Sequence, residues 1–173
     1  KNPQGNGYLL PRGTLREPLS SAHRSDAIIY TRSDQGRDIV PGEIEREFKN
    51  IPVFKCNHTP HVSICPAKGK TSPTFKGQSD LLAHIKGKQV LLFSGIANNP
   101  DVKSSCGKLG LTVCRHIELP DHHPYIRQDI DRIILAFKQS KADYIATTSK
   151  DYIKISEDFP HSHPLVVLDV RIE

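Results

Sequence analysis

Arg16 and Glu17 stand side by side in "GYLLPRGTLREPLSS", where Pro11, Gly13 and Pro18 interrupt regular structure. Adjacent residues are not neighbours on a helix face, so these charges do not form a helical ion pair. In an extended chain they point in different directions. A guanidinium can clamp phosphate oxygens in a planar fork, and a carboxylate can hold Mg2+ or its waters. A solvated surface loop accounts for the same residues. "PDHHPY" gathers Asp121, His122, His123 and Tyr125 between two prolines. Imidazoles beside a carboxylate can ligate metal, shuttle protons or contact phosphate, the carboxylate fixing the tautomer. The stretch equally suits a helix N-terminus, with Asp121 at the positive end of the dipole. "TTSKD" sets Thr147, Thr148, Ser149, Lys150 and Asp151 at the end of an apolar run. Hydroxyls and a lysine there suit an anion, and Thr or Ser as an N-cap would look the same. Without glycines it is not a Walker phosphate loop.

Cysteine chemistry is less specific. Cys56, Cys65, Cys106 and Cys114 form no CxxC pair and read as buried, reduced thiols. "CNHTPHVSIC" can be drawn as a zinc cluster through Cys56, His58, His61 and Cys65, but its spacing matches no standard structural site.

These residues need a scaffold, and the composition allows one. The chain has 173 residues, 36% hydrophobic and 25% charged, enough for one domain with a real core or one domain plus a small lobe. No apolar run approaches the ~18 residues of a transmembrane helix. A net charge of +5 and a pI of about 9.0 permit an anionic partner. The basic residues are scattered, aromatics make up 6% and there is no Trp, which argues against nucleic acid. Methionine is absent even at position 1, so the sequence reads as a fragment of a longer protein.

Short apolar runs alternate with amphipathic segments, the signature of α/β architecture. "DAIIYT" (26–31) reads as a buried strand, and "PGEIEREF" (41–48) as a helix start with proline and acidic residues in its first turn. "IPVFKC" and "HVSIC" are two more strands around a polar turn, and "LLAHIKG" is a short helix closed by Gly87. "KQVLLFS" is a strand, with a helix predicted over 101–109 and a further strand in "GLTVCRHIEL". Ile126, Ile130, Ile133, Ile134 and Phe137 fall at helical spacing. "ADYIATTSKDYIKI" is strand, polar turn and short helix, and "HPLVVLDVRIE" a final strand. In an open parallel sheet, ligands bind beyond the carboxyl ends of strands. "SGIANNP", "PDHHPY" and "TTSKD" all occupy such places, which points to a shared site.

The ordered set "GNGYLLPRGTLREP", "RSDAII", "LLFSGIANNP", "PDHHPY" and "TTSKDYIKI" resembles the C-terminal part of the tetraacyldisaccharide 4′-kinase (lipid A 4′-kinase) family. The likeness runs from Gly5 to about Ile155. It implies a fold similar to that of P-loop nucleotide hydrolases, with a mostly parallel sheet flanked by helices. The implied activity is transfer of the ATP γ-phosphate, with Mg2+, to the 4′-hydroxyl of a tetraacylated glucosamine disaccharide 1-phosphate. The implied location is the cytoplasmic face of the bacterial inner membrane. On this resemblance residues 1–173 are a C-terminal portion, with sub-lobe boundaries near 50–60 and 110–120.

By position, Arg16 and Glu17 match the family's "LREP" and would act at the phosphate and magnesium end, Glu17 toward the metal. Asp121 and His122 match "DHH" and would bind nucleotide. Lys150 and Asp151 match "TEKD" as possible site-lining residues without an assigned role. Ser149 stands where the family usually has glutamate, and "GIANNP" carries one asparagine more than the common "GIANP". The family's glycine-rich loop, catalytic aspartate and "DDGFQH" motif have no counterpart here. The resemblance therefore implies that they lie upstream, with the membrane-associating segment, and that this chain alone is inactive. Two other readings stand beside it. A DHH-type phosphoesterase would need further aspartates at other strand ends, and no matching set precedes "PDHHPY". A non-catalytic nucleotide- or lipid-binding module needs no such set.

Overall fold

A computed structural model describes residues 5–31, 46–65, 75–160 and 163–173. The helix expected over 41–48 lies largely outside the described residues. The chain divides into two compact units, one of residues 1–58 with 172–173 and the other of 59–171.

The first unit opens on a tight loop. Leu15 N–H donates to the Tyr8 carbonyl at 3.2 Å and Leu10 N–H to the Leu15 carbonyl at 2.9 Å. Gly13 lies against the Tyr8 carbonyl and the Asn6 side chain, where a Cβ would clash. Asn6 closes the loop, donating to the Arg12 carbonyl at 3.0 Å and accepting from Tyr8 N–H at 3.2 Å. A 3-10 helix, Leu19–Arg24, follows. Strands β1 (Ile28–Thr31) and β2 (Val53–Cys56) then pair in parallel. The reading of "DAIIYT" as a buried strand is corrected here, because Ile29 is 62% exposed. A two-stranded sheet has one covered face. Ile28, Tyr30 and Val53 pack on Phe48, while Ile29 and its register partner Phe54 project from the other side.

The second unit is built on a five-stranded sheet of order β3-β7-β6-β4-β5, its strands being β3 (His58–Cys65), β4 (Gln89–Ser94), β5 (Thr112–Glu118), β6 (Tyr144–Thr148) and β7 (Leu165–Ile172). The pairs β4–β5, β4–β6 and β6–β7 are parallel. Helices α1 (Gln78–Ile85), α2 (Asn99–Lys108), α3 (Arg127–Gln139) and α4 (Ser149–Ile155) cover it. Side chains alternate along a strand, so β4 feeds two cores. Val90 and Leu92 join Leu81 and Ile85 of α1 and Val102 and Cys106 of α2. Leu91 and Phe93 join Ile130, Ile133 and Ala136 of α3 and Ile155 of α4. A strand covered on both faces must be apolar throughout, as "VLLF" is.

Local signals located the helices, but several of their ends differ. Helix α2 starts at Asn99, two residues before the predicted start at 101, because Pro100 fits the first turn. No polar turn separates β6 from α4: Thr148 ends the strand and caps the helix, accepting from Asp151 N–H. All four cysteines are free, yet only Cys106 is buried and Cys114 is exposed. Burial pushes the Cys106 thiol up to about 12, partly offset by a backbone hydrogen bond.

Candidate functional site at the carboxyl edge of the sheet

Strands β6, β4 and β5 are consecutive in the sheet and parallel, so the loops leaving their carboxyl ends are neighbours. These places are the β6–α4 junction "TTSKD" and the loops "SGIANNP" and "PDHHPY". The sequence alone gave strand ends; the strand order makes them one edge.

Gly95 is the junction. Its N–H donates to Asp151 Oδ2 at 3.0 Å, and its carbonyl accepts from His122 N–H at 3.2 Å. A Cβ at Gly95 would stand 3.1 Å from the Pro120 carbonyl, 3.2 Å from His123 Cβ and 3.3 Å from the Tyr125 hydroxyl. The residue is glycine because the β5 loop closes on it from outside while Asp151 holds it from below.

The two histidines divide. His122 adopts a positive φ of 58°, and its ring is 90% exposed. Left-handed backbone at a non-glycine residue costs on the order of 1–3 kcal/mol and persists where surrounding contacts enforce it. Asp121 Oδ1 accepts the His122 N–H at 3.1 Å, while Oδ2 lies 3.9 Å from His122 Nε2. His123 turns inward. Its Nε2 lies 2.8 Å from Asp129 Oδ2, its ring meets Tyr125 edge-on at 5.2 Å, and its side chain is 21% exposed. Asp129 also accepts the Ile126 N–H at 3.1 Å at the start of α3. Burial acts to raise the Asp129 pKa, but the His123 and Ile126 hydrogen bonds, with the charges of His123 and Arg132, outweigh it and hold it below the usual carboxylate range. Thus His122 is presented to solvent and His123 is built into the start of α3.

Asp151 has no solvent exposure. Besides Gly95, its Oδ2 accepts from the Thr148 hydroxyl at 2.9 Å, and Lys154 Nζ stands 3.6 Å from Oδ1. Lys154 also reaches the His123 carbonyl at 3.5 Å and lies 5.7 Å from the centre of the Tyr125 ring. Burial first, then the Asp151 carboxylate, push the Tyr125 phenol well above its ordinary value. Lys150 is exposed on α4, and Ser149 donates to Asp169 on β7 at 3.0 Å.

A second polar cluster lies at the ends of β4 and β5. The buried Ser94 hydroxyl donates to Asn99 Oδ1 at 2.6 Å and stands 2.9 Å from His116 Nε2, whose Nδ1 faces Glu118 at 3.4 Å. Burial lowers the His116 pKa, with Glu118 opposing and Lys103 adding to the shift. Sequence reasoning passed over Ser94, His116, Lys154 and the junction role of Gly95. Lys154 had a local signal, three residues after Asp151 on one helix face.

Arg16 and Glu17 belong to the first unit and are both exposed. The Glu17 carboxylate forms an ion pair with Arg24, the last residue of the 3-10 helix. The structure therefore brings Asp121, His122 and Asp151 around Gly95, while Arg16 and Glu17 are carried by a separate unit. Among the described residues no group of three or more His, Cys, Asp or Glu could hold a metal ion, so the "CNHTPHVSIC" zinc reading has no support there. No described helix is long and apolar enough to cross a membrane.

The family model for tetraacyldisaccharide-1-P 4′-kinase matches residues 1–173. The chain belongs to this family. A tetraacyldisaccharide 4′-kinase of Desulfatibacillum aliphaticivorans is 35% identical over 173 residues, covering 99% of this chain and 45% of the relative. Those of Syntrophus aciditrophicus and Pelobacter propionicus are 30% and 31% identical, with 42% and 39% of their lengths covered. Among solved structures, the apo form of LpxK from Aquifex aeolicus in complex with ATP superposes with a TM-score of 0.59 at 22% identity, covering 97% of this chain and 44% of that one. This likeness shows the fold, as the resemblance in sequence implied. The chain thus spans less than half the length of these relatives.

Proposed function

We propose that the full-length protein to which this chain contributes is a lipid A 4′-kinase. It would transfer the γ-phosphate of ATP to the 4′-hydroxyl of a tetraacylated glucosamine disaccharide 1-phosphate, at the cytoplasmic face of the bacterial inner membrane. The family match over all 173 residues carries this reading. The net charge of +5 suits an anionic lipid held at a membrane surface.

In this reading residues 1–173 are the C-terminal portion. Phosphoryl transfer rests on positioning and on neutralising charge around the transferring group. Asp121 and His122 contact the nucleotide, the exposed imidazole being the group the fold presents. Arg16 forks onto phosphate oxygens. Lys150 adds a positive charge at the strand edge. When bound, Mg2+ would supply neutralisation of the phosphate charge. Glu17 would help hold it through its carboxylate, once released from Arg24. The remaining catalytic groups belong to the upstream portion that the family resemblance implies.

The test is transfer of labelled γ-phosphate from ATP to the disaccharide acceptor. The full-length protein should turn over and residues 1–173 alone should not; turnover by the isolated chain would refute the division of labour. Arg16→Ala and Glu17→Ala in the full-length protein should lower kcat, and His122→Ala should mainly raise the KM for ATP. A Mn2+-dependent phosphodiesterase activity in its place would favour the DHH-phosphoesterase reading. ATP binding without turnover by the full-length protein would favour a binding module.

A further inference from the structure

We infer that Asp151 is a positioning residue for His122: it sets the backbone of the "PDHHPY" loop through Gly95 and Lys154, without touching the nucleotide itself. The inference rests on the reading of His122 as a nucleotide contact and adds what holds that contact in place.

The chain of contacts is continuous. Oδ2 of the fully buried Asp151 accepts the Gly95 N–H at 3.0 Å, and the carbonyl of Gly95 accepts the His122 N–H at 3.2 Å. One residue is thus held by Asp151 on one side and holds His122 on the other. A second arm runs from Oδ1 to Lys154 Nζ at 3.6 Å, and from Nζ to the His123 carbonyl at 3.5 Å. Both arms end on the main chain of adjacent histidines, and the first of these has the left-handed φ of 58°. Asp151 is itself fixed: the Thr148 hydroxyl donates to it at 2.9 Å, and its own N–H donates back to Thr148 Oγ1 at 3.2 Å.

Asp151 is fully buried behind the loop, and its placement explains why a carboxylate stands there. Burying a carboxylate in a sheet-edge core is costly unless hydrogen bonds and an opposite charge compensate. A helix cap needs only Thr148, which already serves α4. A carboxylate has lone pairs enough to receive the Gly95 amide, the Thr148 hydroxyl and the Lys154 cation at once. It therefore ties the loops after β4 and β5 to α4. A chain without this tie would keep its core and lose the fixed backbone from which the His122 ring projects.

A double-mutant cycle on the full-length protein tests this, read as the Kd for ATP-Mg2+ by calorimetry alongside Tm. His122→Ala and Asp151→Asn should each weaken ATP binding by roughly tenfold, about 1.4 kcal/mol. The double variant should bind no more weakly than His122→Ala alone, because Asp151 acts through His122. Independent losses that multiply to roughly a hundredfold would overturn the inference, as would native affinity in Asp151→Asn. If His122→Ala binds ATP normally, the nucleotide contact itself is wrong and the inference falls with it. Should Asp151→Asn fail to fold, Lys154→Met breaks only the second arm. It should weaken binding in the parent and change nothing in the His122→Ala background, and an equal loss in both backgrounds would refute the mechanism.

Discussion

The two units place their polar residues by different means. In the first, Phe48 is the buried side chain of its cluster, ringed by partly buried Leu19, Ala22, Ile28, Tyr30, Ile51 and Val53. The loop bearing Arg16 and Glu17 is shaped locally by turn hydrogen bonds, the Asn6 clasp and the close approach at Gly13. In the second, two cores grip both faces of β4, and the loops at its end are tied by buried polar contacts from three strands. Charges on a locally closed loop pair at the surface, as Glu17 does with Arg24. A side chain such as Asp151 cannot re-pair without breaking the edge of the sheet.

If this contrast holds, core deletion separates the units most strongly. Phe93→Ala should cost about 3–5 kcal/mol, whereas Phe48→Ala should fall at or below the lower end, because its partly exposed neighbours can collapse into the space. Equal shifts in urea midpoint would break the comparison. Gly95→Ala comes next, at about 1–3 kcal/mol, since the Pro120 carbonyl, His123 and Tyr125 must all give way. An unchanged midpoint would mean that the β5 loop does not close on β4. Thr148→Ala should cost about 1 kcal/mol through loss of the α4 cap, measurable by thermal unfolding.

pH sharpens the contrast further. His116 has a lowered pKa in the folded state, so the unfolded chain binds its proton first as pH falls. The stability this group contributes is present above about pH 6.5, its unfolded value, and is lost as the pH falls below that. Urea midpoints at pH 7.5 and 5.5 should differ less in His116→Gln than in the parent. The smallest effect is expected in the first unit. Glu17→Gln breaks an exposed ion pair and should change stability by less than ~1 kcal/mol, even while it lowers kcat of the full-length protein. A large stability loss there would show that the loop is anchored by charge after all.

Periodicity and punctuation carried far in this sequence. The run "VLLF" announces a buried strand, isoleucines at helical spacing announce α3, and the hydroxyls of "TTSKD" suit a cap. Family resemblance drew the site candidates from ordered motifs, each too short to be specific alone. Burial of β1 was misjudged because an apolar run does not reveal whether its sheet will be covered on one face or two. The divergence of His122 from His123 was equally hidden. Identical side chains one residue apart differ only in the backbone that holds them, and that backbone bonds to Gly95, far away in sequence.

The sequence by itself determined most of the elements, the residue types at each strand end and the family, because these rest on short-range spacing and on motif order. Tertiary structure alone decided that β6, β4 and β5 lie side by side, that the Asp151 carboxylate is buried, and that it reaches the Gly95 amide 56 residues away. Strand order and burial arise from long-range packing of two apolar faces, and no local pattern encodes which loop will meet which.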